Sequence, residues 1–142
     1  MPAGITPGRV FRDPKFYRRA EEWQPKFFVV LAETRDGDLV ARLLTSQIRG
    51  QPENPRCYHG HPYSTFYLGV LGGRLGKKSW LDLRALDDLD GSVLARRLTA
   101  KEIEPECQLD KGLLADLIDC VATANDTTRM QENALRDQKA RL

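Results

Sequence analysis

Residues 26–46 read KFFVVLAE, then TRDGD, then LVARLLTS, and this stretch decides the fold. Phe27 to Leu31 is almost wholly apolar, with aromatic and β-branched side chains, as expected of a strand covered on both faces. From Leu39 the apolar positions loosen, but Val40, Leu43 and Leu44 around Arg42 still predict a strand with one wetter face. Asp36-Gly37-Asp38 between them supplies the positive φ that a hairpin turn needs. An antiparallel pair is therefore expected at the centre of the domain, delivering Thr45 and Ser46 at its end.

The rest of the chain is bounded by its length and charge. With 142 residues it fits one domain that can bury a core without metal or disulfide staples. No apolar run approaches the roughly 18 residues that span a bilayer. The opening MPAGITPGRVF lacks the apolar centre of a signal peptide, so a soluble, cytoplasmic protein is expected. Cys57, Cys107 and Cys120 are odd in number and widely spaced, which suggests neither a disulfide framework nor a zinc ribbon. Cys120 reads as a small core residue of a helix.

Net charge is +2, unevenly divided. Residues 1–78 carry 13 Lys or Arg against 7 Asp or Glu, hence +6, and residues 79–142 carry 9 against 13, hence −4. In the basic half, Arg9, Arg12, Lys15, Arg18, Arg19 and Lys26 alternate with Phe11, Phe16, Tyr17 and Trp23, the ingredients for phosphate contacts and base stacking. A solvated loop face would have the same composition.

Taken in order, Gly8 to Phe11 is a short strand, and Arg12 to Pro25, bounded by Pro14 and Pro25, reads as a long loop with one helical turn near Phe16 to Glu22. Gln47 to Pro62, with five Gly or Pro, is a second long loop. Tyr63 to Gly72 and Lys78 to Arg84 read as strands, a short helix begins near Ser92, and Leu98 to Ile103 is a last strand candidate. The clearest helix is Asp110 to Ala124, capped by Asp110, with Leu113, Leu114, Leu117, Ile118 and Val121 on one face. Residues 125–142 have few large apolar side chains and read as a charged helix, paired Glu132–Arg136 and Asp137–Arg141, or a flexible tail. Many short strands and one packing helix predict a mainly β small barrel over residues 1–124, with that helix across it.

The order of strand, basic segment, KFFVVLAE, LVARLLTSQ, a long strand, SWLDLRALDDLDG, LTAKEI and a Leu-rich helix resembles the PemK/MazF-like toxins of toxin–antitoxin pairs, over roughly Gly8 to Val121. The resemblance implies an SH3-like barrel that dimerises, cleaves single-stranded RNA without a metal, and is silenced by an antitoxin protein. It also implies that a basic residue entering the second strand meets a hydroxyl at the end of the third. Carried onto this chain, the hydroxyl is Thr45 or Ser46, with Thr45 preferred. The family's Arg-Pro is here Gln24-Pro25-Lys26, so the guanidinium is missing at its expected place.

That departure bears on chemistry. Metal-free RNA cleavage needs the 2′-oxygen deprotonated, the phosphate's growing charge neutralised and the leaving oxygen protonated. Arg binds two phosphate oxygens through its planar fork, whereas Lys offers a point charge. Lys26 is the candidate, with Arg18, Arg19 or Arg42 able to reach in. His59 and His61, the only histidines, are candidates for general acid or base, against a solvated loop as the plainer account. A metal held by Cys57, His59 and His61 lacks a fourth ligand at convincing spacing, so no metal or other cofactor is expected.

The wider candidate set for RNA contact is Arg12, Lys15, Arg18, Arg19, Trp23 and Arg42. Trp80 reads as a packing anchor and Asp82 as an exposed strand carboxylate or a partner for a catalytic cation. Gly72-Gly73-x-x-Gly76-Lys77-Lys78 lacks the Ser or Thr and the helix of a phosphate loop and reads as a turn. Two further readings stand beside the ribonuclease. One is a catalytically silent module of the same fold that binds RNA, DNA or a protein. The other is an interaction protein working through its acidic half and charged tail.

Overall fold

In the computed structural model, which describes residues 1–46 and 50–142, the central pair forms as the sequence predicts. Strand β2 (Glu22–Glu33) runs antiparallel to β3 (Asp38–Thr45), with Phe28 opposite Leu43 and Val29 opposite Arg42. The turn closes through Thr34 N–H to the Asp38 carbonyl at 2.8 Å, with Gly37 at a φ of 83°. Both faces of β2 are covered. Val29 and Leu31 join one apolar cluster and Phe28 and Val30 another, which is why the run has no polar alternation.

The expected loop from Arg12 to Pro25 is instead a continuous hairpin. Strand β1 (Arg9–Arg19) pairs with β2 from Val10 and Val29 out to Arg19 and Glu22. Pro14 and Pro25 read as breakers, but the register shifts between Asp13 and Tyr17, and the two prolines fall in that irregular step. A missing N–H costs no ladder bond there. The tip turns through Ala20 and Glu21, at φ values of 51° and 66°, the positive pair that a two-residue hairpin requires.

The remaining elements are β4 (Cys57–Tyr58), β5 (Thr65–Gly69), β6 (Ser79–Asp82), β7 (Leu89–Asp90), α1 (Gly91–Thr99), β8 (Glu104–Gln108), α2 (Lys111–Ala122) and α3 (Arg129–Ala140). The first three residues of the expected loop Gln47 to Pro62 lie outside the described residues. The last strand is β8, and Leu98 to Ile103 belongs to the end of α1 and its exit. Asp90 caps that helix by accepting from Ser92 and Val93 N–H, so it holds together through Thr99. All recorded pairings are antiparallel, in the order β4-β5-β6-β3-β2-β1-β8 with β7 against β3. The protein is thus mainly β, and its eight-stranded sheet does not close among the described residues.

One cluster joins Val29, Leu31, Val40 and Leu44 to Leu117, Ile118 and Val121 of α2. The other joins Phe11, Phe28, Leu39 and Ala41 to Leu94 of α1 and Ile103. The C-terminal segment is neither frayed nor wholly solvated. Helix α3 opens with Thr128 and Gln131 capping each other's backbone, and it buries Ala134 and Leu135. Its outer face keeps the Glu132–Arg136 pair at 3.7 Å. No helix among the described residues is long and apolar enough to cross a membrane.

Two cysteines depart from expectation. Cys57 of β4 and Cys120 of α2 form a disulfide across a sequence separation of 63. Cys107 is free and half-buried.

Candidate nucleic-acid interface

Beyond Asp13 the β1–β2 hairpin leaves the body of the sheet as an arm. Lys15 to Trp23 are all exposed. Phe16, Tyr17 and Trp23 show 38%, 39% and 48% of their surface, three exposed aromatics gathered on one hairpin. The Arg18 guanidinium lies 5.4 Å from the Trp23 ring and donates from Nη2 to the Glu21 carbonyl at 2.9 Å. Lys15, Arg18, Arg19 and Trp23 therefore share one projecting ribbon, with Arg12 half-buried at its base.

At the foot of the arm lies a cleft of about 560 Å³ lined by Tyr17, Lys26, Thr45, Ser46, Arg74 and Lys77 over an apolar floor of Phe27, Leu44 and Leu75. The β2–β3 register explains the meeting. The recorded pairing ends with Phe27 opposite Leu44, and Lys26 and Thr45 are the next residues along the two strands. Thr45 pairs with Trp80 of β6, which fixes its backbone from that side.

The far wall is the 72–75 turn. Gly72 and Gly73 adopt φ values of 89° and 55°, and Leu75 N–H donates to the Gly72 carbonyl at 2.9 Å. Arg74 ties this turn to β8 through Nη1 to Glu104 at 2.9 Å and its backbone N–H to Glu106 at 3.0 Å. Among the described residues, Lys26 and Lys77 take part in no ion pair, whereas neighbouring Lys78 is held by Glu53 at 2.9 Å. No Asp, Glu, His or Cys appears among the described lining residues. The cleft thus offers cations and hydroxyls to an anion, and no donor set for a metal.

A larger hollow of about 900 Å³ runs along α3, where Arg35, Arg129, Arg136 and Arg141 stand with Glu33 and Asp137, and Arg136 is paired with Glu132. Of the residues proposed from sequence for catalysis or RNA contact, none borders it, although Arg136, Asp137 and Arg141 of the C-terminal charge pairs do.

Other candidates lie elsewhere. Arg42, grouped with the arm cations by sequence, is fully buried and cannot touch RNA. Its Nη1 donates to the Ala41 carbonyl at 2.8 Å, while Nε and Nη2 have no hydrogen-bond partner. Burial lowers its pKa, and Asp88, Asp126 and Asp82 act in the opposite direction. The histidines do not border the cleft. His59 Nε2 lies 3.2 Å from Cys57 Sγ and 3.2 Å from Thr123 Oγ1, and His61 is exposed, its carbonyl accepting from Tyr58 Oη. Asp82 holds Arg84 at 2.8 Å, which lies 3.8 Å over the Tyr63 ring, so Asp82 orients no cleft cation. Burial raises the Tyr63 pKa. Trp80 is 7% exposed and donates to the Pro52 carbonyl at 3.0 Å, an anchor as expected.

Sequence reasoning assigned no binding role to Arg74 and Lys77. The cation density of GGRLGKK was the available signal, but a turn and a phosphate wall share that composition. Comparison with protein-family models, with curated proteins and with solved structures returns no significant match.

Proposed function

We propose that this protein acts on single-stranded RNA. The arm stacks on bases, and the cleft binds the backbone and cleaves it by attack of the 2′-oxygen on the adjacent phosphate, as in PemK/MazF-like toxins. The observation carrying the reading is the convergence of Lys26 with Thr45 and Ser46 in one cleft at the foot of a basic, aromatic arm. In this mechanism Lys26 and Lys77 neutralise the phosphate's growing charge, and the Thr45 or Ser46 hydroxyl hydrogen-bonds a non-bridging oxygen. Deprotonating the 2′-oxygen and protonating the leaving oxygen fall to groups in or brought to the cleft, not to the histidines. The same reading carries an SH3-like barrel as the parent of the open sheet, a homodimer, a cytoplasmic setting and an antitoxin protein that covers the cleft.

A second reading, a binding module without catalysis, has an observation of its own. The cleft has Lys26 where the resemblance implies Arg, and no imidazole among its described lining residues. Incubating the purified chain with a long single-stranded RNA in EDTA separates the two. Discrete fragments ending in 2′,3′-cyclic phosphate, lost in Lys26→Ala and Thr45→Val, are expected for the toxin-like enzyme. Intact RNA with retained binding leaves the module, and neither binding nor cleavage removes both.

A further inference from the structure

Outside the cleft, the fold assembles a second group of chemistry-bearing side chains. Cys57 and His59 lie on and just after β4, and Cys120 lies on α2. Their ligand-capable atoms, two Sγ and one imidazole nitrogen, all lie within 4.8 Å of one another, and this is the one such group among the described residues. A disulfide that only braces a fold has no use for an imidazole nitrogen against its sulfur. Here His59 Nε2 points at Cys57 Sγ from 3.2 Å, and its other neighbour is Thr123 Oγ1, whose proton is drawn to the Asp119 and Cys120 carbonyls at 3.2 and 3.0 Å. The site borders a hollow of about 400 Å³ lined also by Arg56, Phe66, Asp116 and Asp119.

We propose that Cys57, Cys120 and His59 form a thiol-gated site for a zinc-class divalent cation. With Zn–S near ~2.3 Å and Zn–N near ~2.0 Å, a tetrahedral ion sets its sulfur and nitrogen ligands roughly 3.5 Å apart and its two sulfurs roughly 3.8 Å apart. His59 Nε2 stands 3.2 Å from Cys57 Sγ, close to that spacing, and the two sulfurs have to part. A dithiol reductant supplies two electrons and two protons, itself becoming a disulfide, and the S–S bond gives two thiols. The cation then displaces both thiol protons and binds two thiolates and the neutral Nε2 of His59. Its fourth position is left to solvent from the hollow beside Cys57 and Cys120; Asp119 is held by Lys139.

The oxidised pair and the metal exclude each other, because both use the same sulfur electrons. Each state nevertheless ties β4 to α2, so the clasp is kept in oxidising and in reducing surroundings. The inference does not depend on the RNA reading.

The test uses the full chain, reduced with a phosphine and titrated with Co²⁺ under circular dichroism control of the fold. One Co²⁺ per chain is expected, with thiolate-to-cobalt charge-transfer and tetrahedral ligand-field bands that Zn²⁺ bleaches. The oxidised chain should show neither. Cys57→Ser and Cys120→Ser should weaken binding at least about tenfold and His59→Ala should alter the ligand-field bands, while Cys107→Ser leaves them unchanged. Reduced wild type without those bands overturns the proposal, as does a spectrum that survives loss of Cys57. The wild-type comparison between redox states needs no substitution, so a misfolded variant does not protect the idea.

Discussion

Salt dependence of RNA binding tests the arm and the cleft together. Five cations project from them without a carboxylate partner among the described residues: Lys15, Arg18, Arg19, Lys26 and Lys77. Arg74 is left out because Glu104 already holds it. Each phosphate neutralised on a single strand contributes about −0.7 to the slope of log affinity against log salt, so five contacts give about −3.5. Between 50 and 200 mM salt, affinity should then fall roughly 100-fold. Lys26→Ala should reduce the slope to about −2.8. Trp23→Ala should act differently, costing about 1–3 kcal/mol from lost stacking at every salt concentration while leaving the slope unchanged. Fluorescence anisotropy with a labelled 12-nucleotide RNA, about the length one such site spans, measures both quantities. A slope shallower than about −1, or Trp23→Ala binding as tightly as wild type, would refute the assignment of this surface.

Three further expectations concern the framework. Leu135→Ala empties a fully buried position of α3 and should cost about 3 kcal/mol, a fall in Tm of roughly 10 °C; a change under about 1 kcal/mol in a urea melt would mean that α3 is a loose tail. Arg42→Met removes a buried cation whose Nε and Nη2 are unpartnered, so stability should stay level or rise, and a loss above about 2 kcal/mol would show that the three nearby carboxylates hold it firmly. The Asp90 pKa is lowered, first by the Ser92 hydroxyl and then by the Val93 and Ser92 N–H groups. A lowered carboxyl pKa contributes stability above the unfolded value, lost as pH falls through the folded one. Thermal melts of Asp90→Asn against wild type should therefore differ most near neutral pH and converge toward pH 3, and a gap independent of pH would contradict this.

Which parts of this molecule could be read from its residues follows from how local their causes are. The central hairpin was legible because a strand with two covered faces must be apolar throughout, and Gly37 marks its turn. Helix α2 was legible because Asp110 and the spacing of Leu114, Leu117 and Val121 act within a few turns. The arm was misread as a loop because proline breaks a strand only where a ladder bond is required, and the register step at Asp13 removes that requirement. The Cys57–Cys120 pair depends on α2 reaching β4 across 63 residues, which no spacing rule encodes. Arg42 carried the pattern of a wet strand face, and only tertiary cover makes it a buried cation. Lys26 and Thr45 were named from the resemblance, and the β2–β3 hairpin brings both to the lining of one cleft. Arg74 and Lys77 complete the cleft through a turn pinned to β8, a contact made at long range.

The arm and the cleft make a stronger case together than either makes alone. A two-stranded ribbon has little stability away from its sheet, and this one turns through two non-glycine residues with positive φ, a conformation that costs each of them about 1 kcal/mol or more. It also keeps three aromatic rings in water, giving up apolar burial that a sheet surface normally gains. The Arg18–Trp23 and Phe16–Tyr17 contacts within the arm offset part of these costs, and the rings stay exposed. The rest is recovered if a ligand covers the rings. On the proposed reading, the cations interleaved with those rings contact an anionic ligand and the exposed ring faces offer it a stacking surface. A nucleic acid strand with unpaired bases meets both conditions, and a strand lying along the ribbon arrives at Lys26 and Thr45 by the geometry of the hairpin itself.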